Sequence, residues 1–268
     1  AKAKPIQELL FALAETRKLE AKTKEPDRYT KLKLEDPTAP KAESRGIQVL
    51  DKDGNSLADL VLGKENLLLQ TIGEGGAYLR LADDPQAWLA SGNIVASEEF
   101  LAWLDNPLID IPRQRFESAS IEHPDGTTFV VGRSPEERGK FVLTSLAENE
   151  ELNNEFYPSD IARAFENFEI RDARRGNKIE FPADRTISGT YRTTDGLTLD
   201  FEMITDNDED WVRLTSVSSD NRRSPEAAAE ARKIAERTEG WAFRLPLHKS
   251  VHIKKGQDQV IKTVEKQS

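Results

Sequence analysis

At 268 residues, with 37% hydrophobic side chains and a formal net charge of -10, the chain has apolar material for one large or two smaller cores inside an acidic exterior. That balance, with a mean hydropathy of -0.63, argues against a nucleic-acid backbone or an anionic membrane surface as partner, because both require clustered Lys and Arg. There is no cysteine, and the only histidines are His123, His248 and His252, so disulfides, thiolate metal sites and Cys nucleophiles are excluded and proton carriers for neutral pH are few.

The chain opens on Ala1-Lys2-Ala3-Lys4 and passes at once into helical periodicity, which reads as an N-terminus trimmed of a preceding segment. Ile6, Leu9, Leu10 and Leu13 predict a helix over Pro5–Lys22, followed by a Pro-containing loop over 24–45. Alternating residues around Asp51-Lys52-Asp53-Gly54 predict a hairpin of 47–50 with 57–62. Strands follow at Ala77–Leu81, after the Gly73-Glu74-Gly75-Gly76 turn, and at Ala87–Leu89; Ser97 then caps a short helix carrying Phe100, Trp103 and Leu104.

A second meander uses Phe116–Glu122, Thr127–Val131 and Lys140–Thr144, with a Pro-Asp-Gly turn after His123. A helix starting near Pro158 presents Ile161, Phe165 and Phe168 on one face. The third meander takes Ile187–Arg192, Leu197–Ile204 and Trp211–Val217, and Ser224-Pro225 opens a helix that stops at Gly240. Trp241–Lys255 reads as extended and the last dozen residues as a frayed polar tail.

Internal similarity organises these elements. Leu9, Ala12, Leu13, Glu20, Ala21 and Lys22 match Ile161, Ala164, Phe165, Asp172, Ala173 and Arg174 at one constant offset, and Tyr78-Leu79-Arg80-Leu81 echoes Trp211-Val212-Arg213-Leu214. The predicted fold class is therefore α+β: tandem helix-plus-antiparallel-β-meander units forming two similar lobes, 1–112 and 113–268, with helices on one side of each sheet.

Several of these segments resemble a bacterial family known as domain of unknown function 4340. The resemblance rests on Glu8-Leu9-Leu10 to Glu20-Ala21-Lys22-Thr23, Pro26-Asp27-Arg28-Tyr29, Leu62-Gly63-Lys64, Ala77-Tyr78-Leu79-Arg80, Trp103-Leu104-Asp105 and Trp241-Ala242-Phe243-Arg244-Leu245-Pro246. It implies a periplasmic or otherwise extracytoplasmic protein, held at the inner membrane by an N-terminal anchor. It also implies genes beside those of gliding-motility-type ABC transporters, and it brings no catalytic residue with it. The anchor and first β segment of the family pattern are not in this sequence.

The acidic run Asp206-Asn207-Asp208-Glu209-Asp210 offers Asp206, Asp208 and Asp210 as a calcium candidate, but an EF-hand's central Gly and terminal Glu are missing, and a solvated hairpin loop is the simpler reading. Gly73–Gly76 lacks the Lys-Ser/Thr of a phosphate-binding loop. His248, Ser250 and His252 fall on one face of an extended segment, yet no nucleophile elbow accompanies them, and they read as edge-strand surface residues; His123 reads as a solvent-facing turn residue. Paired carboxylates abound in so acidic a chain and carry no geometry. Aromatic and Arg residues give a candidate partner or ligand surface: Trp88, Trp103, Tyr78, Arg80, Trp211, Arg213, Trp241 and Arg244.

The expectation is a non-enzymatic accessory domain, without cofactor or metal, that binds an envelope protein partner such as an ABC-transporter assembly and no nucleic acid. The alternative is a module that holds a glycan, peptide or lipid fragment between the lobes.

Overall fold

Helix α1 (Ala3–Glu15) carries the stripe of Ile6, Leu9, Leu10 and Leu13 in a computed structural model that describes residues 1–71, 75–220 and 222–263. The helix stops short of the predicted Lys22. The Thr16 hydroxyl donates back to the Ala12 carbonyl at 2.6 Å, and Thr16 itself has left the helix for extended backbone. Arg17–Ala21 become strand β1, which pairs along one edge with a later strand of the same sheet.

The chain divides into two units, Ala1–Leu104 and Asp105–Ser268. Residues 105–112 go with the second unit because Leu108 and Ile111 donate their N–H groups to the carbonyls of Phe168 and Phe165, at 2.9 and 2.8 Å.

In the first unit a 3₁₀ helix, Pro26–Leu32, buries Tyr29. Strands β2 (Arg45–Leu50) and β3 (Ser56–Glu65), the short helix α2 (Leu67–Thr71), and strands β4 (Gly76–Leu81) and β5 (Trp88–Ser91) follow. All pairings are antiparallel, and the sheet order is β1-β5-β4-β3-β2. Alternation gives the sheet two apolar faces. Ile47, Leu60, Leu62 and Leu79 pack with Leu9, Ala12 and Leu13 of α1, whereas Val61 packs with Tyr29 and Leu34. The second contact needs a glycine: a Cβ on Gly63 would lie 2.3 Å from the Leu32 carbonyl oxygen. The predicted turn at Gly73-Glu74 lies outside the described residues.

The second unit opens with β6 (Phe116–Glu122), β7 (Thr128–Arg133), β8 (Phe141–Leu143), β9 (Glu150–Leu152) and helix α3 (Tyr157–Ala162). It continues through β10 (Asp172–Arg175), β11 (Ile187–Thr193), β12 (Leu197–Asp206), β13 (Glu209–Ser219), α4 (Pro225–Thr238) and β14 (Trp241–Arg244). The main sheet has eight strands in the order β10-β14-β13-β12-β11-β6-β7-β8. Its core is aromatic: Phe165 stacks on Phe168 at 5.0 Å and meets Tyr191 edge-on at 4.9 Å, and Phe116 touches both Tyr191 and Phe141 at 5.1 Å. The Tyr191 hydroxyl donates to the Ala162 carbonyl at 2.8 Å, so the one polar atom brought into this cluster is satisfied.

The internal repeat is real at the level of topology. The order β1-β5-β4-β3-β2 in the first unit and β10-β14-β13-β12-β11 in the second are the same arrangement, a four-strand meander whose last strand pairs with the strand that follows the helix. The echoed Tyr78 and Trp211 segments occupy the equivalent third strands β4 and β13. The repeats differ at one edge. In the second unit β11 pairs on its far side with β6; in the first unit β2 ends the sheet.

Other segments depart from the sequence expectation too. The helix expected to carry Ile161, Phe165 and Phe168 closes at Ala162, so Phe165 and Phe168 lie beyond it. The helix expected after Ser97 is a 3₁₀ turn, Phe100–Trp103, with Glu99 at its N-cap. Trp241–Lys255 is extended only to Arg244, after which Pro246 opens a helical turn, α5 (Leu247–Ser250). The predicted frayed tail contains α6 (Gln257–Val260) and β15 (Ile261–Thr263), which pairs with β9, and Val260 is buried. Residues 264–268 lie outside the described residues.

Candidate functional site

Helix α1 is amphipathic in sequence, yet none of its residues is fully buried. Leu9, Ala12 and Leu13 rest on the first sheet, while Ile6, Leu10 and Phe11 stay 37%, 43% and 71% exposed. An apolar stripe that wide ordinarily packs against more than one element. Here the second flank of the helix is open. Beside it runs a groove of about 580 Å³ whose floor is the edge strand β2 and whose wall is Ala96–Glu98 with Trp103.

Trp103 is held in that wall by its indole N–H, which donates to the Ser97 carbonyl at 3.0 Å. Ile47 and Val49 point their side chains into the same apolar layer as α1. Arg45, at the first position of β2, donates from Nη1 to the Ala96 carbonyl at 2.5 Å. Its Nε is buried and makes no hydrogen bond, with Glu98 Oε1 at 3.6 Å. Arg45 and Glu98 are the two ionisable groups lining the groove. The site is thus an apolar trough with a sheet edge along one side and the Arg45–Glu98 ion pair at one end.

Of the eight aromatic and Arg residues picked from sequence, Trp103 lines this groove. The other seven are engaged elsewhere. Trp88 lies under the Lys18 ammonium at 5.0 Å, and Tyr78 accepts from Asn66 at 3.2 Å. Arg80 donates to the Leu34 carbonyl at 3.0 Å and covers the Tyr29 ring. Trp211 is 1% exposed beneath Arg174, which leaves it no surface to offer a partner. Arg213 pairs with Glu202 and lies on Phe181, Arg175 stacks on Trp241 at 4.2 Å, and Arg244 pairs with Glu209. Two of these cation–π contacts join paired strands, Lys18 of β1 with Trp88 of β5 and Arg175 of β10 with Trp241 of β14; Arg174 reaches Trp211 across β14.

The acidic run does not converge. Asn207 and Asp208 both have positive φ and make the tight turn between β12 and β13, and Asp210 turns inward. The Asp210 carboxylate accepts from Thr205 Oγ1 at 2.7 Å, from Lys254 Nζ at 2.8 Å and from the Ser250 hydroxyl. Burial works to raise its pKa, and the bonds from Lys254, Ser250 and Thr205 outweigh it, holding the carboxyl below its ordinary value. Among the described residues no group of three or more His, Asp or Glu side chains could hold a metal ion.

The histidine readings change as well. His248 and Ser250 lie on the helical turn α5, not on an extended edge, and Ser250 is fully buried against Asp210. His252 Nδ1 lies 3.2 Å from Asp160, and burial lowers its pKa against that carboxylate's pull. His123 is 8% exposed with its ring edge-on to Phe129 at 5.6 Å, so it is a core residue and not a solvent-facing one.

Of the residues that make the groove, Ile6, Leu10 and Val49 read from sequence only as helix-stripe or strand positions, and Arg45 reads as the end of the 24–45 loop, whereas it is the first residue of β2. Phe11, standing off the stripe of α1, was the one sequence sign of extra apolar surface.

A repeated helix–strand–meander unit, with an open sheet edge beside a helix that is only partly covered, defines an α+β domain. The chain belongs to the family described as Domain of unknown function (DUF4340), whose family model matches residues 1–187. No curated protein and no solved structure matches it.

Proposed function

We propose that this domain is a non-enzymatic accessory module of the bacterial envelope, held on the extracytoplasmic side of the inner membrane, and that it binds a protein partner belonging to an ABC-transporter assembly. The observation that carries the reading is the exposed apolar surface of the first unit: Ile6, Leu10 and Phe11 on α1 beside the groove over Ile47 and Val49. Apolar surface of this kind beside polar residues is the usual mark of a protein contact. The family resemblance supplies the transporter as the class of partner.

The test is site-specific cross-linking in envelope membranes, with a photoreactive residue at Phe11 of the membrane-associated protein. Cross-links to transporter subunits are expected. Labelling no stronger than from a photoreactive residue at Lys52, on the exposed β2–β3 turn, overturns the reading.

A groove of this volume also lies in the range of small-molecule sites, which supports the second reading, a module for a glycan, peptide or lipid fragment. The open sheet edge favours polypeptide over a compact ligand, because backbone N–H and C=O groups along β2 are offered in strand register.

A further inference from the structure

We propose that the edge of β2 receives one additional antiparallel β-strand from the partner polypeptide, with apolar side chains at alternate positions and a carboxylate near the strand's C-terminal end. The inference rests on the partner-binding reading above and specifies how that partner docks.

The second unit shows what this edge accepts. Its β11 is the counterpart of β2, and there the same edge is occupied by β6, antiparallel, from Ser188 opposite Glu122 to Thr193 opposite Phe116. Phe116, Ala119 and Ile121 of β6 are all buried and extend the apolar layer past β11. The helix depends on that extension: α3 packs against β6, β7 and β8, and its Ile161 is 1% exposed. Leu9 is the sequence counterpart of Ile161, but α1 has no such strands to pack on and buries none of its residues fully. The groove borders this open edge: Arg45–Leu50 line it together with Ile6, Leu9 and Leu10 of α1 and Trp103.

Charge sets the polarity of the incoming strand. Arg45 is the first residue of β2, and its buried Nε makes no hydrogen bond, its ion-pair partner Glu98 Oε1 standing 3.6 Å away. An antiparallel strand brings its C-terminal end to that point. In the second unit β6 ends there with Glu122. A carboxylate at the same place would accept the Arg45 donor, and a guanidinium–carboxylate bond of this type is among the stronger ones. Alternate apolar side chains would fill the space over Ile47 and Val49 and cover Ile6 and Leu10 of α1.

The probe is a synthetic peptide with the sequence of residues 116–122, Phe-Glu-Ser-Ala-Ser-Ile-Glu, added in excess to the protein. Slowed amide exchange across Arg45–Leu50, with none at β14, is expected. Val49→Asp should weaken binding by about tenfold or more, because it places a charge on the groove floor. Arg45→Gln should weaken the peptide ending in Glu and leave a version ending in Gln unchanged. Leu57→Asp, exposed and outside the groove, should bind as the parent does. Thermal melts of each variant separate loss of binding from loss of fold.

Equal binding of a scrambled peptide with its apolar residues adjacent, or unchanged exchange at β2, overturns the proposal. So does a dimer in sedimentation that Val49→Asp dissolves, since the edge would then serve a second copy. If folded Val49→Asp is cross-linked to transporter subunits as well as the parent is, strand addition fails while the partner-binding reading stands. If the parent is cross-linked to none although the peptide protects β2, the partner reading fails alone.

Discussion

Lys254 Nζ lies 2.8 Å from Oδ2 and 3.0 Å from Oδ1 of Asp210, and Asp210 is 5% exposed. The pair ties the segment after β14 to the start of β13, where Leu245 N–H also meets the Asp210 carbonyl at 2.8 Å. Replacing Asp210 by Asn leaves the ammonium with a weaker acceptor and is expected to cost about 2–4 kcal/mol. The loss should appear as a lower urea midpoint, and a double-mutant cycle with Lys254→Met should return a coupling energy well above zero. The folded carboxyl titrates below its ordinary value. Its contribution is therefore complete above the unfolded pKa near 4 and is lost as pH falls through the lower folded value.

The histidines act in the opposite pH direction from a paired cation. Burial lowers the pKa of His123 and of His252 below the ordinary 6.5. The unfolded chain then binds protons first as pH falls, so stability declines from about pH 7 downward and levels off only below the folded values. His123 Nε2 is buried without a partner, and Phe fits the same edge-on contact with Phe129. His123→Phe is expected to narrow the difference in unfolding midpoint between pH 7.5 and 5.5. An unchanged difference would show that His123 contributes nothing to it.

Arg115 joins three elements: Nη1 and Nη2 grip Glu230 of α4 at 3.1 and 2.6 Å, and Nε reaches Asp195 in the β11–β12 turn at 3.0 Å. Lys keeps the charge and loses the fork. Arg115→Lys is expected to destabilise by about 1–2 kcal/mol, measured by denaturant melts, and Arg115→Ala by more, since the partly buried Glu230 and Asp195 would then face each other without a cation.

Gly189 sits on β11 where a Cβ would lie 2.5 Å from the Phe201 ring and 2.9 Å from the Ser120 carbonyl. Gly189→Ala is expected to cost about 1–3 kcal/mol through displacement of Phe201. The double variant Gly189→Ala with Phe201→Leu should recover part of that loss, a result that mere strand propensity would not produce.

Phe11 is 71% exposed on α1. Phe11→Ser is expected to shift the melting midpoint by less than the equivalent of about 0.5 kcal/mol. A large loss would mean that the helix flank is already covered.

Most strands were legible because alternation and Asp-Gly turns are local signals: β2, β3, β4, β6, β11 and β12 lie close to where the sequence puts them. The strands it missed, β1, β9, β10 and β15, are short and polar, and each exists through a partner distant in sequence. His123 and Ser250 were misplaced for a related reason. A polar side chain next to a turn looks exposed until the ring of Phe129 or the carboxylate of Asp210 is known to stand over it.

Composition, the constant offset between the two halves and the quoted motifs established an acidic, cysteine-free α+β chain with a repeated unit and its family. They could do so because local propensity, periodicity and turn chemistry are written along the chain. The tertiary structure decided that the two sheets end differently, β11 covered by β6 and β2 open, and that the groove lies beside α1. Whether an edge is paired depends on which other strand reaches it, and that is a long-range choice no local pattern contains.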